Sequence, residues 1–406
     1  MKVSQQIFET AKGWRILGNP IAGDSVRLVL AFGGRHLLGT EAPYAHLKSE
    51  FPKAHIVLAS TAGEISGTEV SEDQIVATAI SFDKTRVVCV AAEVEDASQS
   101  FSAGRTLAEK LAGPDLVNVF VVSDGQRVNG TELTRGLNES IGAGVILTGG
   151  LAGDGTRFEK TLVGLDEHAR PGRIVAIGFY GKSLKIRYGS AGGWVPFGPV
   201  RTVTKAEGNK LFELDGQSAL QLYKTYLGDQ ASKLPGSALR FPLSITPTGA
   251  DYSVVRTILS IDEAKKGMVF AGDIPNGALV RFMRASYEDL VDGAAHAAEE
   301  TLDPAPPALA LCVSCVGRRI VLGQRIEEET EIVRETLGAV PTLAGFYSYG
   351  ELSPSSGSSA CQLHNQTMTI TTETKSKVLS SQGDRPSQTI WFGPTQVTWP
   401  SPVKEI

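Results

Sequence analysis

The sequence predicts an α/β protein of two domains, each built on a mixed parallel and antiparallel sheet packed by helices. Three observations carry this. Short, β-branched apolar runs alternate with helical segments through the first half. Between residues 160 and 190 the runs follow one another across turns too short to hold a helix, which predicts antiparallel pairing beside the parallel units. The 406 residues also exceed the length, about 250 to 300, at which a single core stops growing.

Taken in order, the runs VRLVLAF (residues 26–32), HIVLAS (55–60), IVATAISF (75–82) and RVVCVAAEV (86–94) read as strands by length and β-branching. A helix is expected from about Gln99 to Leu111, followed by the apolar strand LVNVFVV, which stops at a Ser-Asp-Gly turn. Asn129 and Thr131 are suitable caps for the next helix, which leads to the glycine-rich ILTGGLAGDG. KTLVGL, RIVAIGFYG and LKIRYGS are expected as an antiparallel meander. The Gly/Pro-dense GSAGGWVPFGPVRTV (189–203) is the best domain boundary, placing the domains at 1–195 and 196–372. The second domain reads as helix GQSALQLYKTYLG, strands ALRFPLSI and SVVRTILSI, a helix near Ser286 to Leu302, strand ALALCVSC and the charged helix QRIEEETEIVRETLG. A hairpin is expected from Gly345 to Glu373, then a Ser/Thr/Pro-rich tail over 373–406 that holds Trp391 and Trp399.

Composition excludes several functions. A net charge of −5 without a Lys/Arg-rich run lacks the electrostatic footprint of a nucleic-acid binder. No apolar run approaches the about 18 residues of a membrane helix, and the first residues have no signal-peptide core, so a soluble cytoplasmic protein is expected. Four cysteines do not make a disulfide framework, which agrees with a reducing compartment. Cys312 and Cys315 form a C-x-x-C, but three positions apart on a strand they point to opposite faces, which argues against zinc. Cys312 is expected in the core and Cys315 near a ligand cavity. GGLAGDG matches neither phosphate-loop pattern; Ser60, Thr61 and Asp154 are expected as polar rim groups after strands, where open α/β sheets bind ligands.

The segment GFYSYGELSP…LHNQTMT puts hydroxyls, a carboxylate and an imidazole where a structural hairpin would carry aliphatics. With period-two alternation Tyr347, Tyr349 and Glu351 share one face, and His364, Gln366 and Met368 share the return face. A pocket of these tyrosines with Arg318, Glu351, Asn365 and Gln366 would hold an amino acid, guanidinium to carboxylate and carboxylate to ammonium. An enzyme is not expected; the alternative is a hydrolase or transferase using Cys361, three residues before His364, or Cys315.

Read together, ASTAGEISG, VSDGQRVNGTELTRGLNESIG and LTGGLAGDG in the first half, with GNKLFELDGQSALQLY, CVSCVGRR…EEET and GFYSYGELSP…LHNQTMT in the second, resemble the FIST family of bacterial sensory proteins. The resemblance spans roughly Val26 to Thr371 and implies an N-terminal and a C-terminal ligand-sensing domain. It implies signalling by contact with a histidine kinase, a diguanylate cyclase or a cyclic-di-GMP phosphodiesterase, and a small ligand proposed to be an amino acid. One subgroup of stand-alone FIST proteins binds haem and senses nitric oxide. The likeness to that subgroup makes a haem b-binding nitric-oxide sensor the expectation, with a haem-free sensor of a small organic ligand such as an amino acid as the alternative; without a C-x-x-C-H the haem would be non-covalent, and His364 is the best of six histidines for its iron. Homo-oligomerisation is left open.

Overall fold

The apolar runs of the first half form the inner strands of two sheets. Leu28–Gly33 and His55–Ser60 pair in parallel inside a six-stranded sheet, where Ile75–Ser81 and Lys2–Glu9 run antiparallel. Leu116–Ser123 and Ile146–Leu151 are the parallel pair of a second six-stranded sheet, with Arg173–Tyr180 antiparallel to Leu116–Ser123. A third is built on Leu309–Cys315, parallel to Thr342–Ser348 and antiparallel to Met368–Lys375. The structure is a computed structural model and describes residues 1–234, 236–355 and 360–375.

Helices cover the outer faces. Ser100–Leu111 and Gly130–Ser140 pack Leu107, Leu133 and Leu137 on the second sheet, and Tyr287–Glu299 and Glu327–Leu337 pack Ala294, Ala297 and Val333 on the third. The inner faces meet in one core of Leu30, Phe32, Phe120, Ile177, Leu311 and Phe346. Each such side chain contributes about 1.5–3 kcal/mol on burial. The α/β class with mixed sheets packed by helices therefore holds in both domains. A fourth, eight-stranded sheet between Val195 and Arg284 is antiparallel throughout and closes its own core on the helix Ala219–Leu227.

The two domains exchange strands. Glu64–Ser66 from the first pairs with Ala344–Phe346 of the second, Leu184–Ala191 pairs with Met368–Lys375, and Gly350–Leu352 pairs with Gly149–Leu151. The described residues accordingly cluster as one compact unit. The expected meander does not form: Arg173–Tyr180 inserts between Arg86–Glu93 and Leu116–Ser123, whereas Leu184–Ala191 joins the third sheet.

The expected hairpin is also replaced. Thr342–Ser348 and Met368–Lys375 lie in the third sheet on either side of Leu309–Cys315, while Gly350–Pro354 pairs with Cys361–His364 in the second. The chain thus changes sheet at Tyr349 and again across residues 365–367, where Gln366 adopts a φ of 64°. Past the expected limit at Thr372 the last strand continues to Lys375. Residues 376–406, with Trp391 and Trp399, lie outside the described residues. Among the described residues no helix is long and apolar enough to cross a membrane.

Candidate functional site

In both the second and third sheets the parallel strands end toward one place. Leu116–Ser123 ends at the loop of residues 124–129, Ile146–Leu151 at Leu151, Leu309–Cys315 at Cys315 and Thr342–Ser348 before Tyr349. Gly125, Gln126, Leu151, Cys315 and Tyr349 all line a cavity of about 660 Å³, which the loops of the antiparallel sheet close from the other side through Asn209, Thr257, Phe270 and Asp273. Carboxyl ends of parallel strands are where open α/β sheets bind ligands, because backbone and loops there are free of the ladder. The size lies inside the usual range of about 300–1,000 Å³ for small-molecule sites.

Local sequence explains the loop at 124–129. Asp124, fully buried, accepts from the backbone N–H of Gln126 (2.7 Å) and Arg127 (2.8 Å) through one oxygen and from Gly172 N–H (2.8 Å) through the other. Gly125 must be glycine, since a Cβ there would stand 2.1 Å from the Ala152 carbonyl oxygen. Asn129 caps the following helix, its Oδ1 accepting from Thr131 and Glu132 N–H. That fixes the amide, and its Nδ2 donates to Asp273 Oδ1 at 3.3 Å across the cavity wall.

Three of the sequence-selected residues are in the lining: Tyr349, Cys315 and Asn365. The Tyr349 ring stacks on Phe158 with centroids 4.6 Å apart, and its hydroxyl donates to Asp154 Oδ1. Asn365 is 1% exposed, and neither amide atom has a hydrogen-bond partner. Burial pushes the Cys315 thiol up, away from thiolate reactivity.

The other selected residues are placed differently. Arg318 is sealed: its guanidinium binds Glu329 (2.8 Å) and the carbonyls of Gly192 (2.7 Å) and Leu290 (2.6 Å). Tyr347 donates to the same Glu329, which also accepts from Ser314 Oγ at 2.9 Å. Both residues are structural, and the guanidinium expected for a ligand carboxylate is already taken. Glu351 is buried, accepting from Ser348 Oγ (2.7 Å), Thr367 N–H (3.1 Å) and Thr367 Oγ1 (2.9 Å); burial raises its carboxyl to about 7. Gln366 donates to the Leu239 carbonyl at 3.1 Å. Ser60 Oγ accepts from Leu162 N–H at 2.8 Å, and Thr61 donates to Glu64 at 2.6 Å. Asp154 is fully buried and accepts from Arg35 at 2.8 Å, so these three are internal braces and not rim groups.

His364 and the cysteine alternative are likewise corrected. His364 is buried outside the lining, its Nε2 lies 3.0 Å from the Ser353 carbonyl, and burial lowers its pKa to about 4. No histidine is among the described lining residues, the Tyr349 hydroxyl is engaged by Asp154 and burial keeps the Cys315 thiol protonated, so the lining offers haem iron no ready ligand. Among the described residues no group of three His, Cys, Asp or Glu side chains is arranged to hold a metal ion. Cys361 sits in the core of the second sheet with its thiol raised by burial and forms no bond to His364. Cys312 is in the core of the third sheet.

Sequence reasoning missed Asp273, Asn209, Thr257 and Phe158. The signal for Asn209 and Asp273 was the turns GN (208–209) and AGD (271–273), which stand out only once their strands are known to be neighbours; Thr257 and Phe158 carried none.

Exchanged strands thus join two α/β domains around a shared cavity. The chain matches the FIST N domain over residues 27–217 and the FIST C domain over residues 219–354, and it belongs to the FIST family of sensory proteins. No curated protein matches the chain.

Proposed function

We propose that this protein senses a small organic ligand held in the cavity at the carboxyl ends of the parallel strands. The observation that carries the reading is the cavity itself, about 660 Å³ and walled by both domains and the antiparallel sheet. A ligand there touches the loop at 125–130, Tyr349 and the loop at 271–273 at once, so occupancy biases how these parts pack. Haem and nitric oxide sensing through His364 are not carried by this site, for the reasons of geometry above. The output we propose is contact with a histidine kinase, a diguanylate cyclase or a cyclic-di-GMP phosphodiesterase, the partners that the resemblance of its motifs implies.

Leu259 lines the cavity yet is 46% exposed, so Leu259→Trp narrows the site without opening the core. A metabolite library screened by thermal shift is expected to yield compounds that stabilise the wild type and lose that effect in Leu259→Trp. Compounds that stabilise both proteins equally, or a library with no hit, would overturn the reading.

A further inference from the structure

Asp273 is the one charged side chain among the described lining residues. Its Oδ1 accepts from Asn129 Nδ2, and its Oδ2 accepts no hydrogen bond among the described residues. Each neighbouring asparagine amide spends one of its two N–H donors within the wall. Asn129 gives Nδ2 to Asp273 and its own oxygen to the helix N–H groups, and Asn209 gives Nδ2 to the Phe270 carbonyl at 2.8 Å, which leaves its Oδ1 as an acceptor. The two loops are held side by side by Phe270 N–H to Asn209 O and Ile274 N–H to Gly208 O, both 2.9 Å. The Tyr349 hydroxyl is occupied by Asp154, and the polar side-chain atoms of Asn365 and Thr257 are sealed from solvent. What the wall offers beside Asp273 is neutral, the amides of Asn129, Asn209 and Gln126 around an interior of Leu, Ile, Val and Phe side chains.

We propose that the cavity selects an organic monocation, an amine with an apolar body, whose ammonium donates to Asp273 Oδ2 and Asn209 Oδ1. This rests on the cavity being the ligand site. An ammonium has only donors and one positive charge, which matches the free Asp273 oxygen as the one charged group of an otherwise neutral lining. A carboxylate ligand would face that charge with no cation in the lining to receive it. Arg256 is outside the lining, packed against Gly272 with Nη1 donating to the Leu363 carbonyl at 2.8 Å; its charge acts on Asp273, but its guanidinium is not presented to the cavity.

Four probes of matched body separate the charges: phenethylamine, 2-phenylethanol, 3-phenylpropionate and phenylalanine, each titrated calorimetrically into the full chain. Phenethylamine is expected to bind at least about tenfold tighter than the others, to weaken as salt rises, and to lose its advantage in Asp273→Asn. The salt dependence in the wild type reads the charge even if the variant does not fold. Equal or tighter binding of the alcohol, the acid or phenylalanine would overturn the inference while leaving the cavity as the ligand site, and so would a preference for the amine that survives Asp273→Asn. No binding by any probe would overturn the inference, and only a library with no hit lost in Leu259→Trp would overturn the cavity reading with it.

Discussion

Arg318 and Glu329 are both fully buried, so their pairing has to be judged by what happens when one is removed. Arg318→Met leaves a carboxylate in a dry site with only Ser314 and Tyr347 as donors, and is expected to cost about 3–5 kcal/mol in urea unfolding. Glu351 gives a pH signature. Its folded carboxyl keeps the proton to about 7, against a usual value of 4.5, because it is desolvated. Between those values the folded state binds more proton than the unfolded state, so stability falls as pH rises and the contribution is gone above 7. Comparing unfolding at about pH 5 and about pH 8, Glu351→Gln is expected to lose about 1–3 kcal/mol less than wild type over that interval. Glu64 and Glu373, both raised to about 8 by burial, act the same way and remain in the variant, so the difference isolates Glu351. At this scale the sequence marked unusual polar residues correctly as unusual but could not say what they faced. Tyr347 and Arg318 look like ligand groups until Glu329, supplied by a helix, is seen to hold both.

Elements were easier to read where a fully buried run had only one way to hide its apolar side chains. His55–Ser60, Leu309–Cys315 and the helix Gly130–Ser140 with its Asn129 cap follow from run length, β-branching and capping alone. Alternation failed at 345–373 because it assumes one uninterrupted pleat, and the chain leaves one sheet for another at Tyr349 and returns across 365–367. That break sends Tyr347 to the helix side of the third sheet and Tyr349 to the cavity. Close approach within the third sheet is set by Gly345, where a Cβ would stand 1.8 Å from the Cys312 carbonyl oxygen on the parallel neighbour. Neither strand can yield, since Leu309–Cys315 is held on its other side by Met368–Lys375. Gly345→Ala is expected to destabilise by about 3 kcal/mol or more, read as a lowered denaturant midpoint with loss of the native near-ultraviolet dichroism.

Strand exchange decides how the whole molecule folds. The Gly/Pro-rich stretch suggests a boundary near residue 195, whereas the FIST N domain match runs to residue 217, and exchange between domains leaves no local mark, because a strand's own pattern does not name its partner. In the structure the residues 27–217 that match the FIST N domain give Glu64–Ser66 and Leu184–Ala191 to the third sheet, and take Gly350–Pro354 and Cys361–His364 into the second. Cut free, this region would expose the edge of Ile146–Leu151, the orphaned strand Leu184–Ala191, and the face of Leu30, Phe32 and Phe120 that packs on Leu311 and Phe346. Unpaired edges and a bare apolar face favour aggregation over an independent fold. A fragment of residues 1–217 is therefore expected to be insoluble or molten, showing no dispersed amide spectrum, while the full chain unfolds in urea with one midpoint for probes in either half. A folded, monomeric 1–217 fragment, or two separate midpoints in the full chain, would show that the exchanged strands are not what binds the halves together. Because the cavity is walled by both domains and by the antiparallel sheet, the same cooperativity gives a ligand leverage: it is expected to raise the single midpoint measured by all probes together, not that of one half.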